Sequence, residues 1–187
     1  LLRPPGVSNQ TYRFTLQGRP DSLDALLELM RPTVALALDC QPDRIVIGYT
    51  SEFLPGGINV AGQLRAFAED AVGRPATMAS DAVPEALKIF GARRIGIVTP
   101  YLPAEDGNVQ EYFEALGFSV ACIAGLSSAR ERLVGTAQIS ETDVRDAFAR
   151  VDTAEIEVLV QIGTNLACAG FAADLEDDLV RMFAPGR

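Results

Sequence analysis

Three hydroxyl side chains follow directly on a short apolar run in the first third of the chain. The run Ile45–Ile47 is β-branched, stops at Gly48 and leads into Tyr49, Thr50 and Ser51. Such a run is typical of a buried strand. Open parallel sheets bind ligands outside the carboxyl ends of their strands, so hydroxyls and backbone amides at this point suit a small anion.

The same arrangement occurs near the other end of the chain. Residues 158–162 form an apolar run that stops at Gly163 and leads into Thr164 and Asn165. Taken alone, a hydroxyl cluster at a strand end is more often a helix cap, at odds of about two to one. Because the cluster is repeated, we expect the two strand ends to face each other across a cleft that holds one ligand.

The side chains that are missing narrow the chemistry further. The chain has no histidine, which excludes Ser-His-Asp and Cys-His catalysis and removes the commonest metal ligand. Its three cysteines, Cys40, Cys122 and Cys168, are far apart and predict neither a disulfide framework nor a metal site. A phenol ionises only near about pH 10, so Tyr49 would act as a hydrogen-bond or proton donor and not as a nucleophile.

Composition and charge indicate the class of protein. The chain has 187 residues, 48% of them apolar, and no apolar run approaches the length that crosses a bilayer. A net charge of −9 argues against nucleic acid and anionic membranes as partners, but not against a small anion bound by local amides. The first ten residues do not have the pattern of a secretory signal. We therefore expect a cytoplasmic globular protein.

Predicted strands and helices alternate along the chain. Ser80 with Asp81, and Ser140 with Asp143, are expected to cap the helices that follow them, and Pro32 is expected to kink or divide the first helix. The alternation predicts parallel sheets covered by helices on both faces. The predicted strands are residues 11–16, 45–47, 76–79, 94–99, 118–123 and 158–162, the predicted helices are residues 21–40, 58–72, 82–90, 106–116, 140–151 and 166–182, and residues 126–138 are ambiguous.

With these elements placed, the sequence resembles the aspartate/glutamate racemase superfamily, in the branch of the maleate isomerases and arylmalonate decarboxylases. The resemblance implies an α/β fold of two similar lobes, about residues 1–90 and 91–187, each with a parallel sheet flanked by helices. It also implies a carboxylate bound in the cleft between the lobes, with no metal and no organic cofactor. The segments that carry it are IVIGYTSEFLPGG at residues 45–57, residues 75–87, GARRIGIVTPY at residues 91–101 and QIGTNL at residues 161–166.

In that family a cysteine at each strand end works on opposite faces of the substrate, while hydroxyls and amides hold its carboxylate. The resemblance places Tyr49 at the first cysteine position and Gly163 at the second. A route through a thiolate adduct and a two-thiol racemisation both lack their nucleophile here. By the same motifs, Thr50, Ser51 and Tyr101 take carboxylate-binding positions, and Thr164 and Asn165 flank the second cysteine position.

The resemblance and the residues together lead to a functional hypothesis. We expect a cofactor-independent enzyme, similar to arylmalonate decarboxylase or maleate isomerase, that acts on a small carboxylate or dicarboxylate. An enolate-like charge would be stabilised around Thr50, Ser51 and Tyr101, with Tyr49 as proton donor. The alternative is a non-catalytic carboxylate-binding homologue that has lost both cysteines. Gly163 fits that alternative, or else leaves room for a bulkier substrate.

Two further expectations concern cysteine chemistry and assembly. Cys168 is most simply a small core residue, although relocation of thiol chemistry to this position is a third possibility for the function. The helix after Gly57 has an apolar face that could form a homodimer. The family's opening strand with its carboxylate-binding loop is not found before Leu1, and its closing strand is not found after the last predicted helix, so the chain is expected to be incomplete or to lack part of the site.

Overall fold

The computed structural model describes residues 5–14, 22–127 and 132–178. Helices and strands alternate along most of this length. In chain order they are α1 (Leu23–Leu38), β1 (Ile45–Ile47), α2 (Gly57–Val72), β2 (Ala76–Met78), α3 (Ala79–Ile89), β3 (Arg94–Thr99), α4 (Pro103–Ala115), β4 (Ser119–Gly125), α5 (Arg132–Ala137), α6 (Glu141–Val151), β5 (Val158–Gln161) and α7 (Ala172–Asp178).

The strands form two parallel sheets. In the first sheet β1 pairs with β2, with Val46 opposite Thr77. In the second sheet β3 lies in the centre, between β4 and β5. The predicted α/β fold with parallel sheets flanked by helices is confirmed. Because all strands of a parallel sheet end at the same edge, the carboxyl ends of β3 and β5 lie side by side.

The first sheet packs against α1 and α2. Leu26 and Met30 of α1 and Leu64 of α2 are buried with Ile47 and Met78 in one cluster. The apolar face of α2 is thus used inside the protein. The homodimer that the sequence suggests for this face stays a prediction.

The central strand of the second sheet is covered on both faces. Ile95 and Ile97 pack with Phe113 of α4, whereas Val98 packs with Phe148 of α6. In a parallel strand that is buried on both faces, apolar residues do not alternate with polar ones. The continuous apolar run of β3 was predicted for this reason, and its bounds, residues 94–99, are those of the structure.

Pro32 does not divide α1, so that part of the prediction was wrong, whereas a kink at Pro32 stays a prediction. The helix runs without interruption from Leu23 to Leu38, with Pro32 in its interior. Met30 and Val34 are buried on either side of the proline along one face. Packing of that face outweighs the helical hydrogen bond that proline cannot make.

Three other local predictions were wrong. Residues 11–14 form no strand, and residues 15 and 16 of that predicted strand lie outside the described residues. The final helix begins at Ala172, because residues 163–171 form successive turns closed by backbone hydrogen bonds, and residues 179–182 lie outside the described residues.

Ser80 and Asp81 do not cap α3 from outside but lie in its first turn, since the helix starts directly at the end of β2. The capping box of Ser140 and Asp143 is confirmed.

Two hydrogen bonds join α4 to the parts of the chain around the first sheet. Asn108 Nδ2 donates to the carbonyl of Phe53 at 2.8 Å, and the Tyr112 hydroxyl donates to the carbonyl of Ser80 at 2.8 Å. They tie α4 to the loop after β1 and to the start of α3. The division into lobes near residue 90 stays a prediction. Among the helices of the described ranges, none has the length and apolar content needed to cross a membrane.

Candidate functional site

Two hydroxyls from the two sheets meet at the candidate site. Thr50 follows β1 and Tyr101 follows β3, and Thr50 Oγ1 lies 3.1 Å from Tyr101 Oη, within hydrogen-bonding distance. Thr50 is nearly buried, whereas Tyr101 is partly exposed. Each hydroxyl can both donate and accept. The structure thus brings together two of the residues that the sequence singled out, although 51 positions separate them.

A short hydrogen-bonded chain holds Tyr101 in place. The backbone amide of Tyr101 donates to Thr99 Oγ1 at 3.2 Å, and the Thr99 hydroxyl in turn donates to Asp106 Oδ1 in the first turn of α4. Burial raises the pKa of Asp106, and the hydrogen bond from Thr99 acts in the opposite direction. Because Thr99 is fully buried at the end of β3, the start of the Tyr101 loop is fixed to the sheet.

Tyr49 belongs to a row of aromatic rings that leads to Tyr101. Its ring centroid lies 6.2 Å from that of Phe14 and 6.2 Å from that of Phe53. Phe53 in turn lies 5.1 Å from Tyr101. Rings at these separations and tilts attract one another. Tyr49, the candidate proton donor, is therefore partly exposed but oriented by neighbours on both sides.

The ends of β1 and β5 are also adjacent. The Thr164 hydroxyl donates to the carbonyl of Gly48 at 3.2 Å, across 116 positions of sequence. Both Thr164 and Asn165 are exposed. The two strand ends that repeat in the sequence thus lie against each other, with Tyr49 directly after one and Gly163 directly after the other.

Ser51 points away from this surface. Its hydroxyl donates to the carbonyl of Gly57 at 3.0 Å and lies 3.2 Å from Ser80 Oγ, and the residue is completely buried. Its backbone amide donates to Ser80 Oγ at 3.3 Å. In this structure Ser51 shapes the loop that carries Thr50, and its predicted role as a direct ligand stays a prediction.

Gly163 occupies a position that a side chain would disturb. Its φ is +98°, and a Cβ built on it would lie 2.8 Å from both Cγ and Cδ of Pro100. The same Cβ would lie 3.6 Å from the hydroxyl of Tyr101. The ring of Pro100 fills the space, so the glycine does not leave room for a bulkier substrate at this point. A cysteine here would require both an unusual backbone conformation and movement of Pro100.

Restoring a thiol at this position is therefore expected to cost stability. We expect Gly163→Cys to lower the free energy of unfolding by about 1–3 kcal/mol, from positive-φ strain and the close approach to Pro100. Urea unfolding followed by circular dichroism measures the change. Gly170→Cys is the matched control, since a Cβ there meets nothing within 4 Å. Equal stability of the Gly163 and Gly170 variants would contradict the assigned geometry.

Cys168 lies among core residues and not at the strand ends. It packs against the cluster around Val98 and Phe148. Burial raises the pKa of its thiol, and the positive charge of Arg145 opposes the rise only in part. Since the thiolate is the reactive form, these surroundings favour a structural role for Cys168 over relocated thiol chemistry.

Sequence reasoning missed a buried polar cluster behind Thr50 and Ser51. It consists of the buried Glu52, Ser80 and Tyr112, with the partly exposed Asp81 beside them, and these residues come from the β1 loop, α3 and α4. The sequence predicts Ser80 and Asp81 as a helix cap, and nothing in the sequence marks Glu52 as buried. Within the described ranges, no group of three or more cysteine, aspartate and glutamate side chains is arranged to hold a metal ion.

Comparison with known proteins places this fold in a family. The family model described as arylmalonate decarboxylase matches residues 32–180. The chain belongs to the arylmalonate decarboxylase family. Family members of known structure that it matches are enzymes, both decarboxylases and isomerases. No curated protein matches the chain by sequence.

Solved structures of the arylmalonate decarboxylase family and its relatives share the fold. A maleate cis-trans isomerase from Nocardia farcinica, bound to TRIS, superposes with a TM-score of 0.81 at 21% identity, over 95% of this chain and 75% of that one. A glycine-to-cysteine variant of arylmalonate decarboxylase, associated with sulfate, gives 0.75 at 17% identity, over 87% and 70%. The maleate isomerase Iso from Pseudomonas putida S16 gives 0.68 at 18% identity, over 86% and 67%. Likeness at these identities establishes the fold.

Proposed function

We propose that this chain is a cofactor-independent cytoplasmic enzyme that binds a small carboxylate or dicarboxylate and forms an enolate-like intermediate. The observation that carries the proposal is the 3.1 Å contact between the hydroxyls of Thr50 and Tyr101. Two hydroxyls that follow strands of different sheets converge there, and Tyr49 directly precedes Thr50 in the chain. Membership in the arylmalonate decarboxylase family supports an enzyme in general.

The paired hydroxyls suit a carboxylate oxygen or the charge of an enolate. Each hydroxyl now has the other as its neighbour, and each can turn its proton towards an incoming anion. Donors that are already fixed need little rearrangement when negative charge develops, which is the basis of oxyanion stabilisation. The hydrogen bond from the Tyr101 amide to Thr99 fixes the backbone at Tyr101. The hydrogen bond from the buried Ser51 to Gly57 fixes the loop that carries Thr50.

Relatives of the same fold have been solved with small anions. One structure of arylmalonate decarboxylase is associated with a sulfate ion, and the maleate isomerase from Pseudomonas putida S16 is known with maleate. The Nocardia farcinica isomerase has also been trapped with a covalent succinylcysteine. Because the resemblance in sequence places Tyr49 and Gly163 at the two cysteine positions, we propose no covalent adduct for this chain.

Tyr49 supplies the proton in the proposed reaction. In a decarboxylation, the bond from the substrate carbon to one carboxylate breaks, carbon dioxide leaves, and the electron pair stays as an enolate on the remaining carboxylate. The phenol of Tyr49 then gives its proton to that carbon, and solvent returns a proton to the phenolate. The partly exposed position of Tyr49 suits both transfers.

A second candidate is a carboxylate-binding protein without catalysis. The observation that favours it is Pro100, whose ring fills the space where a side chain at position 163 would project. Glycine supplies no acid, base or nucleophile, so the second strand end contributes only backbone groups and the neighbouring hydroxyl of Thr164. Under this hypothesis the protein retains the cleft and its anion-binding hydroxyls but no longer catalyses the reaction.

Ligand binding and turnover together test the proposal. A panel of phenylmalonate, methylmalonate, maleate and aspartate is followed by proton NMR with the wild type, Thr50→Val, Tyr101→Phe and the double variant. We expect each single variant to weaken binding about ten- to hundredfold, since a hydrogen bond to a charged group is lost. The double variant should lose less than the sum of both, because the hydroxyls act on one anion.

The outcomes separate the two candidates. Turnover of any compound that depends on Thr50 and Tyr101 supports the enzyme. Saturable binding without turnover, with the same dependence on the two hydroxyls, supports the binding protein. Affinities that are unchanged in both single variants would overturn the proposed site.

A further inference from the structure

Glu52 is a buried acid that has no role in the proposed anion site. It comes directly after Thr50 and Ser51, and only 1% of its surface is exposed. Both carboxyl oxygens lie within the protein and neither makes a hydrogen bond of good geometry, although the Ser80 hydroxyl and the backbone amides of Ser51 and Glu52 lie near enough to lower the pKa of the carboxyl. Buried polar side chains of folded proteins nearly always have partners. An acid left without them at the edge of a ligand site therefore calls for a functional explanation.

The groups around Glu52 come from three helices, and its environment disfavours the negative charge. Arg65 of α2 binds Asp81 Oδ1 of α3 at 2.7 Å, so this cation is already paired with another acid. Tyr112 of α4 donates to the carbonyl of Ser80, also in α3. Burial raises the pKa of Glu52, with a smaller contribution from the charge of Asp81; the Ser80 hydroxyl and nearby backbone amides oppose the rise.

The pKa of Tyr112 responds to the same charges. Burial raises it most, followed by the negative charges of Glu52 and Asp81. The negative charge of Glu52 therefore acts on Tyr112, where the loop after β1 meets α4. This contact also includes the bond from Asn108 to the carbonyl of Phe53, the residue next to Glu52. A charge on Glu52 would have to draw in water or move the loop, since no cation is at hand among the neighbours named here.

Movement of this loop would reach the anion site directly. Ser51 is held by Ser80 and by the carbonyl of Gly57, and Thr50 precedes it by one residue. We propose that Glu52 is a positioning residue: its buried side chain holds the Thr50–Ser51 loop against α3 and α4, and a negative charge gained there displaces the loop and weakens anion binding at Thr50. The binding part of this inference rests on the proposed function, whereas the loop displacement does not.

The test combines an NMR titration with a binding titration. The first follows the side-chain carbons of ¹³C-labelled glutamates and the backbone amides of residues 50–53 in the wild type. The second measures the affinity for sulfate, whose charge stays constant between about pH 5 and pH 9. Glu52→Gln is an uncharged isostere. Glu85→Gln is the matched control, because Glu85 is an exposed glutamate on α3.

We expect Glu52 to ionise at a higher pH than the exposed glutamates, and the amides of residues 50–53 to shift with the same midpoint. Wild type and Glu85→Gln should lose affinity for sulfate about tenfold across that midpoint. Glu52→Gln should keep the low-pH affinity throughout. A merely structural role would not produce a pH step that the isostere removes.

Two results would overturn the inference. One is a Glu52 signal that titrates together with the exposed glutamates. The other is a loop, or a sulfate affinity, that follows the same pH profile in Glu52→Gln as in the wild type. Absence of sulfate binding at every pH, with the loop still following Glu52, would instead contradict the anion site and leave the positioning role supported by the NMR titration.

Discussion

Tyr49→Phe is expected to lower turnover of the identified substrate by about 10²–10⁴-fold, the usual contribution of a positioned proton donor. The phenyl ring keeps the stacking distances to Phe14 and Phe53 and removes only the hydroxyl. Substrate affinity should therefore change much less than the rate. Steady-state kinetics that separate kcat from KM measure the difference.

Tyr12→Phe is the control for this experiment. Tyr12 is exposed, and its hydroxyl contacts the sulfur of Cys40 at 3.0 Å and not the candidate site. We expect its kcat to match that of the wild type. Full turnover by Tyr49→Phe would remove Tyr49 from the mechanism and require another proton source.

Gly57→Ala is expected to cause the largest loss of stability among single methyl additions to the site loop. A Cβ at position 57 would lie 2.3 Å from the carbonyl oxygen of Ser51 and 3.3 Å from Cα of Glu52, both of them backbone atoms. Backbone atoms cannot move aside as easily as the end of a flexible side chain. We expect a loss of about 3 kcal/mol in the free energy of unfolding, or about 10 °C in Tm.

Gly62→Ala in the same helix is the matched control. No atom lies within 4 Å of a Cβ at position 62, and alanine favours a helix interior over glycine by about 0.5–1 kcal/mol. Thermal unfolding should thus show opposite signs for the two variants. If Gly57→Ala is as stable as Gly62→Ala, the close packing of the loop on the start of α2 is not present in solution.

Local sequence patterns were sufficient where burial alone determines the structure. The apolar run of β3 needed no knowledge of its neighbours, because a strand covered on both faces fits such a run. The run of β1 also forms a strand, but Val46 at its centre is 71% exposed, so the prediction that β1 is buried was wrong at this residue. The capping box of Ser140 and Asp143 is equally local, since both partners lie within one helical turn.

Predictions failed where a distant contact decided the outcome. Pro32 stays within α1 because its neighbours Met30 and Val34 are buried on a common face. The hydroxyl of Ser80, which follows β2, lies within hydrogen-bonding distance of the Ser51 hydroxyl after the neighbouring strand β1 and does not cap its own helix. Propensity describes the segment alone, and tertiary packing outweighs it in these cases.

The candidate site was predictable as a set of positions but not as a geometry. Two strand ends with hydroxyls suggested that Thr50 and Thr164 belong to one site, and both indeed lie where β1 and β5 end. The inward turn of Ser51, the burial of Glu52 and the position of Pro100 against Gly163 depend on how three helices and a loop meet. Spacing in the sequence carries no information on such contacts.

The central claim is that an enolate-like intermediate forms beside Thr50 and Tyr101 and takes its proton from Tyr49. The most direct measurement is deuterium incorporation from heavy water, followed by NMR, with aryl- and alkylmalonates, maleate and aspartate. The account predicts deuterium on the carbon next to the carboxylate with the wild type, and its loss with Tyr49→Phe. Saturable binding of these compounds without deuterium in any of them would contradict the enzyme and identify the chain as a carboxylate-binding protein.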